Sequence, residues 1–266
     1  AKGILESKEG LSVSMGMLPT GTANDQGKSF GLSAGSQALE ENIRVIAEGV
    51  TTLMDVGLIE RLDSSGRVTH TDLFFDSASF GWGAAVLATR NHNREWVKDI
   101  PIVRSFYRNH LVYAGAMMQE MLRTYTSNLK FDLELCVDGN KFYFDSLLDV
   151  IIKNTHVFGG EWVLSPGAET DDGFFEIIPV VGRRDFSSKM LANFRHSPLN
   201  EDDLKKIGLE YSEPIQGADF VLKILQPGAE NAPAAQIDGE EFPGGEHFHV
   251  EVLQRMLRLI VPREHA

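Results

Sequence analysis

Apolar side chains recur at helical spacing through the first fifty residues, and from Thr51 onward they alternate with polar ones at the period of strands. Within Ser36 to Val50, Leu39, Ile43, Val45 and Ile46 predict a helix. A shorter helical stretch is predicted from Ala23 to Phe30, and SVSMGML at residues 12–18 reads as a short apolar strand. The residues Ala1 to Glu6 look like the tail of a helix already in progress, which leads us to expect chain upstream of them. Strand, loop, helix, helix is a fragment of an α/β layer.

The β-rich part follows. TTLMDVGLIERL and VTHTDLFFDSASF flank the turn residues SSG and predict a hairpin; FDLELCV and KFYFD flank DGN and predict another. The segments SLLDVIIKN, FFEIIPVVG, DFVLKILQP, AAQIDGEEF, HFHVEVL and LRLIVP read as further strands. Together they point to a sandwich or barrel with long loops at 154–173 and 195–217. One helical stretch interrupts them, Pro101 to Thr126, with Ile102, Phe106, Leu111, Tyr113, Met117, Met118 and Met121 apolar. Such a stripe is either a helix packed on the sheet or an adaptable, Met-rich wall for a greasy ligand. No internal repeat or low-complexity segment is present.

Composition narrows the function. At 266 residues, 42% hydrophobic and 24% charged, the chain can form one large domain or two smaller ones. No apolar run approaches the roughly 20 residues of a membrane-spanning helix. A net charge of −13 argues against nucleic acid as a partner and against broad attraction to anionic lipid, so any membrane contact is expected to be local, apolar and peripheral. The single cysteine, Cys136, and the lack of a signal-like start make a reducing, cytoplasmic setting the default expectation.

Several motifs carry candidate chemistry, each with two readings. In LPTGTANDQGKSFGL, residues 18–32, Gly21 allows close approach of an anion, while Thr22, Asn24 and Asp25 offer a hydroxyl, an amide and a carboxylate; the loop is either a phosphate cradle or a capped helix start. Asp238-Gly239-Glu240 is either a hairpin turn with solvated acids or a cleft in which Glu240 takes a proton. Asp171-Asp172-Gly173 begins a strand or holds a hard cation. Asp55, alone in an apolar strand, requires a partner or a functional reason. His247 and His249 share a strand face without a third metal ligand, and Ser79 and Ser165 lack the setting of a hydrolase nucleophile.

The order of these segments resembles the diacylglycerol kinase catalytic family, which includes bacterial lipid kinases and is related to sphingosine and ceramide kinases. LPTGTANDQGKSFGL is similar to that family's Leu-Pro-x-Gly-Thr-x-Asn-Asp-x-x-x-Ser-x-Gly segment, TLMDVGLIE to its Asp-bearing strand, and FFDSASFGWGAAV to the small-residue run after it. PGAETDDGFFEI and IDGEEFPGGEHFHVEVLQRMLRLIVP resemble its Asp-Gly segment and its closing Asp-Gly-Glu strand and tail, so the likeness runs from Leu18 to Pro262. It implies part of an α/β nucleotide-binding domain in residues 1–50, a β-sandwich lipid-binding domain in 51–255, and a tail, 256–266, that returns to the first. It further implies ATP at Gly21, Thr22, Asn24 and Asp25, and Glu240 as proton acceptor for a lipid hydroxyl, with Asp238 supporting it. Asp55 would stand on the substrate side, and Asp172 with the carbonyls of Glu169 and Phe174 would hold a structural Mg²⁺. Homodimerisation is left open.

Two departures shape the expectations. The family carries a Gly-Gly-Asp-Gly-Thr phosphate loop upstream of LPTGTAND, which this sequence lacks, so a lipid-binding or regulatory module that lost catalysis is the alternative to an active lipid kinase; a kinase of soluble nucleotides such as NAD is more distant. Gly27 is expected to loosen its helix by about 1 kcal/mol relative to Ala.

Overall fold

The computed structural model describes residues 1–7, 12–21, 24–89, 130–158, 162–182, 185, 189, 213–225 and 232–266. The stripe at 101–126 lies outside them. The N-terminal part comprises α1 (Lys2–Leu5), β1 (Ser14–Met15), α2 (Asp25–Ser29) and α3 (Leu39–Glu48), the last entered through a 3₁₀ turn. Gly49, at φ 68°, takes the left-handed C-cap that ends α3.

Thereafter the chain is strands: β2 (Thr51–Leu62), β3 (Val68–Phe74), β4 (Ser77–Gly81), β5 (Phe131–Val137), β6 (Asn140–Leu147), β7 (Asp149–Lys153), β8 (Val157–Phe158) and β9 (Trp162–Val163). β10 (Phe175–Val180), β11 (Ile215–Gly217), β12 (Asp219–Leu225), β13 (Ala235–Ile237), β14 (Glu240–Phe242) and β15 (His247–Ile260) complete them. One sheet runs β3-β2-β15-β12-β5-β6 with β1 on β15, and a second runs β11-β10-β7-β4-β13-β14. Apart from the parallel β1–β15 pair, the ladders are antiparallel.

Several sequence expectations change in detail: AAQIDGEEF is two strands, β13 and β14, and the expected loop 154–173 holds β8 and β9. VTHTDLFFDSASF is two strands in different sheets, because the chain turns at Phe75-Asp76 and crosses over. SLLDVIIKN likewise divides, its first residues ending β6 and Asp149 opening β7. HFHVEVL and LRLIVP instead form one strand, interrupted by a bulge between Leu253 and Leu257.

The alternation of strands builds a shared apolar layer. Phe74, Phe131, Phe220 and Phe248 from the first sheet meet Phe80 and Phe175 from the second, all nearly or fully buried. Each contributes roughly 1.5–3 kcal/mol by leaving water. The other face of the second sheet is covered too, by a smaller cluster that includes Trp82, Val86, Ile151, Leu164 and Ile178, with Trp82 and Val86 on the helical run 82–89. A third cluster joins Phe30, Met15 and Met17 to Met54, Val56 and Leu259, so the N-terminal segment packs on the far halves of β2 and β15. Val261 N–H donates to the Val50 carbonyl at 3.0 Å and Arg263 pairs with Glu48 at 3.1 Å, which tie the chain end to the same segment.

One acid lies within the layer under the helical run. Asp149 is 2% exposed; its Oδ2 accepts the Gly83 N–H at 2.6 Å, and its Oδ1 has no partner among the described residues. Burial pushes its carboxyl up to about 8, against the smaller opposing effect of the Gly83 and Val150 N–H groups. The folded protein therefore keeps a proton that the unfolded chain releases near pH 4, and the stability this provides is lost as pH rises through about 8. Asp149→Asn keeps an acceptor for Gly83 and removes the ionisation. Melting temperatures measured from pH 6 to 9 are expected to fall more steeply for wild type than for this variant; parallel curves would refute a buried, titrating Asp149.

Candidate functional site

Asp55 finds its partners in the backbone. Across the bulge, Leu253 pairs with Val56 and Leu257 with Met54, so three residues of β15 oppose Asp55 alone. The unmatched bulge N–H of Arg255, a residue at φ 55°, donates to Asp55 Oδ1 at 2.7 Å, and the Gly173 N–H donates to Oδ2 at 2.7 Å. The Asp55 N–H in turn donates to the Thr170 carbonyl at 2.7 Å. One fully buried carboxylate thus fixes a bulge on β15 and the loop 170–173. Burial raises its proton affinity, these two N–H groups lower it, and the negative Asp172 and Asp171 raise it further.

The loop holds the second candidate. Asp172 Oδ1 accepts the Phe174 N–H at 2.9 Å and its Oδ2 faces Gln216 Nε2 at 3.3 Å, while Arg255 reaches the carboxylate of Asp171 at 3.2 Å. Glu176 also has a raised proton affinity, first from burial and then from Asp172. The region carries an excess of negative charge, and a carboxylate with neighbouring carbonyls is the oxygen set a hard cation takes. Among the described residues no three acid, histidine or cysteine side chains form a metal cluster. A cation here would rest on Asp172 and main-chain oxygens such as those of Glu169 and Phe174.

The Asp238-Gly239 pair is a hairpin turn and more. Asp238 at φ 49° and Gly239 at φ 81° are both left-handed, as a two-residue turn between β13 and β14 requires, and glycine takes that conformation without strain. The tip is exposed, yet the Asp238 carboxylate folds inward and accepts the N–H groups of Phe75 at 2.8 Å, Asp76 at 2.7 Å and Ser77 at 3.0 Å. Burial of that carboxylate, with the negative Asp76 beside it, pushes it up to about 6. Glu240, the first residue of β14, stands exposed.

Two residues that the sequence reading passed over connect these parts. Asn154, fully buried, donates from Nδ2 to the carbonyls of Asp55 at 2.8 Å and Phe75 at 3.0 Å. Lys153, also fully buried, donates to Asp76 Oδ1 at 3.0 Å, the Val157 carbonyl at 2.7 Å and Thr155 Oγ1 at 3.2 Å. The available signal was a lysine closing the apolar run DVIIK and an acid inside FFDSASF.

The loop at residues 18–32 reaches the same network. Thr22 lies outside the described residues. Asn24, at φ 58°, occupies the N-cap position of α2, but its side chain turns back: Oδ1 accepts the Gly21 N–H at 2.7 Å and Nδ2 donates to the Gly21 carbonyl at 2.8 Å. Asn24 therefore closes the loop and leaves α2, which Asp25 begins, without a side-chain cap. Gly27 is there for proximity, since a Cβ would come within 2.6 Å of Pro19 Cγ. The cost in helix propensity is the condition for seating α2 on the loop. Ser29, buried at its end, accepts the Val157 N–H on Oγ at 3.2 Å.

His249, Ser79 and Ser165 have structural partners. His249 places its ring nitrogens 3.2 Å from Glu60 and 2.8 Å from Asp219, Ser79 Oγ accepts from Gln236, and Ser165 bonds Glu176.

No family model matches the chain. The protein named probable lipid kinase YegS of Salmonella heidelberg is 24% identical over 259 residues, which cover 97% of this chain and 72% of that protein. The protein named diacylglycerol kinase of Mycobacterium tuberculosis is 23% identical over 190 residues, 71% of this chain and 54% of that one. Among solved structures, a diacylglycerol kinase from Bacillus anthracis superposes with a TM-score of 0.58 at 16% identity, covering 95% of this chain and 68% of the other, and so shares its fold.

Proposed function

We propose that this chain, a member of the diacylglycerol kinase catalytic family by its relatives and its fold, transfers the γ-phosphoryl group of ATP to the hydroxyl of a diacylglycerol-like lipid, with sphingoid and ceramide hydroxyls as the next acceptors. The observation that supports it is the continuous network running from the loop of Gly21 and Asn24, through Ser29, Val157 and Lys153, to Asp76 and the Asp238-Gly239-Glu240 hairpin. Phosphoryl transfer depends on positioning and on neutralising charge, and in this reading the network is what links the Gly21–Asn24 loop, taken as the phosphate side, to the exposed Glu240.

In this reading ATP with Mg²⁺ supplies the phosphoryl group and its charge compensation. Gly21, Thr22, Asn24 and Asp25 hold the nucleotide, and Glu240 removes the proton from the acceptor hydroxyl. Asp238 holds the turn that presents Glu240, and Asp55 shapes the acceptor side of the cleft. Asp172 with the Glu169 and Phe174 carbonyls binds a structural Mg²⁺ away from the reacting atoms. In this reading the β-rich part of the chain takes the acyl chains. Among the described residues no helix is long and apolar enough to cross a membrane; in this reading the lipid is met by peripheral contact.

Incubating the full-length protein with labelled Mg-ATP and either mixed diacylglycerol vesicles or NAD tests this. Label is expected in the lipid phase, together with Mg-ATP binding of about 1 mM or tighter. Label transferred to NAD alone would point to a soluble-nucleotide kinase. Lipid binding with no nucleotide affinity would point to a module without catalysis.

A further inference from the structure

We infer that Lys153 is a positioning residue for phosphoryl transfer, holding the Glu240 hairpin in register with α2 through the buried pair it forms with Asp76. The inference rests on the lipid kinase reading for its catalytic consequence and on the geometry alone for the coupling. Lys153 is 0% exposed and all three Nζ hydrogens have acceptors, in Asp76 Oδ1, Thr155 Oγ1 and the Val157 carbonyl. It therefore has no hydrogen left for a phosphate or a lipid, and any effect on the reaction passes through its neighbours.

Those neighbours lead in two directions. On one side, Asp76 accepts from Thr155 Oγ1 and from Ser77 Oγ at 3.1 Å, and its own N–H enters the carboxylate of Asp238, two residues before Glu240. On the other, Val157 offers its carbonyl to Lys153 and its N–H to Ser29 at the end of α2. The Asn154 N–H donates to the Asp76 carbonyl at 3.0 Å, so main chain runs parallel to the ion pair. A buried ion pair is a weak source of net stability, because desolvation of both charges offsets their attraction. It is a strict source of geometry, because the charge-assisted bonds tolerate little displacement.

The test is the charge-free double variant Asp76→Asn/Lys153→Met in the full-length protein, with Ser29→Ala as a milder cut of the same path. We expect the double variant to melt within about 4 °C of wild type. Its kcat for lipid phosphorylation should fall about 10- to 100-fold, with KM for ATP changed by less than about threefold, since small misplacements of reacting groups cost rates of that size. Ser29→Ala should lower kcat in the same direction with no change in melting temperature. Hydrogen exchange supplies the second readout: amides at 235–242 and 25–30 should both exchange faster, while those of α3 keep their protection. Wild-type kcat in both variants, or faster exchange confined to residues 153–157, overturns the inference. If the double variant fails to fold, Ser29→Ala decides by the same two readouts. An inactive wild type overturns the kinase reading and the catalytic consequence with it, and exchange still decides whether the hairpin and α2 are coupled.

Discussion

Replacing Glu240 with glutamine is expected to lower kcat for lipid phosphorylation by about 10²- to 10⁴-fold, the range lost when a general base is removed, with little change in KM. Glutamine keeps the shape of the side chain and loses only its ability to take a proton. The fold does not lean on that carboxylate: Glu240 is exposed at the start of β14, and it pairs with Ile237 as a ladder partner. The melting temperature should therefore match wild type, which separates lost chemistry from lost structure. Full turnover by Glu240→Gln would remove the residue from the mechanism.

The largest loss of stability is expected at Asp55. Asp55→Ala leaves the Arg255 and Gly173 N–H groups facing a buried gap with no acceptor. Each such group costs about 1–3 kcal/mol, so calorimetry should show a melting temperature lower by roughly 5–20 °C. Asp55→Asn restores one acceptor but points an amide at the other N–H, and should lie between the two. A loss of less than about 2 °C for the alanine variant would mean that the bulge relaxes into water and that Asp55 is retained for another reason.

Asp55 and Asp238 show how much of the site the sequence carried. Asp55 was visible as an acid in an apolar strand, and the physical rule that such an acid has a partner was correct. The partner could not be named, because Arg255 lies two hundred positions away and donates a backbone N–H, which every residue except proline possesses. Asp238-Gly239 was equally visible, and the plain hairpin reading holds as geometry. What the spacing could not disclose is that the Asp238 side chain captures three N–H groups of a turn 161 to 163 residues earlier, a contact made by the pairing of β13 with β4. Gly27 marks the opposite limit: propensity assigns it a cost, and only its proximity to Pro19 explains why the cost is accepted.

By itself, the sequence determined the two-part character of the chain, most of its strands, the Asp-Gly turns, and the order of motifs that resembles the lipid kinases. Those features are local, written in alternation, in turn chemistry and in short runs of residues. Only the tertiary structure decided that DVIIK ends in a buried lysine paired with Asp76, that Asn154 joins the Asp55 strand to the Phe75 turn, and that Ser29 attaches α2 to Val157. The physical reason is that a buried polar side chain is tolerated only where its partners converge. Here they come from β2, the turn between β3 and β4, β8 and α2, which are far apart in the chain and meet only in the fold.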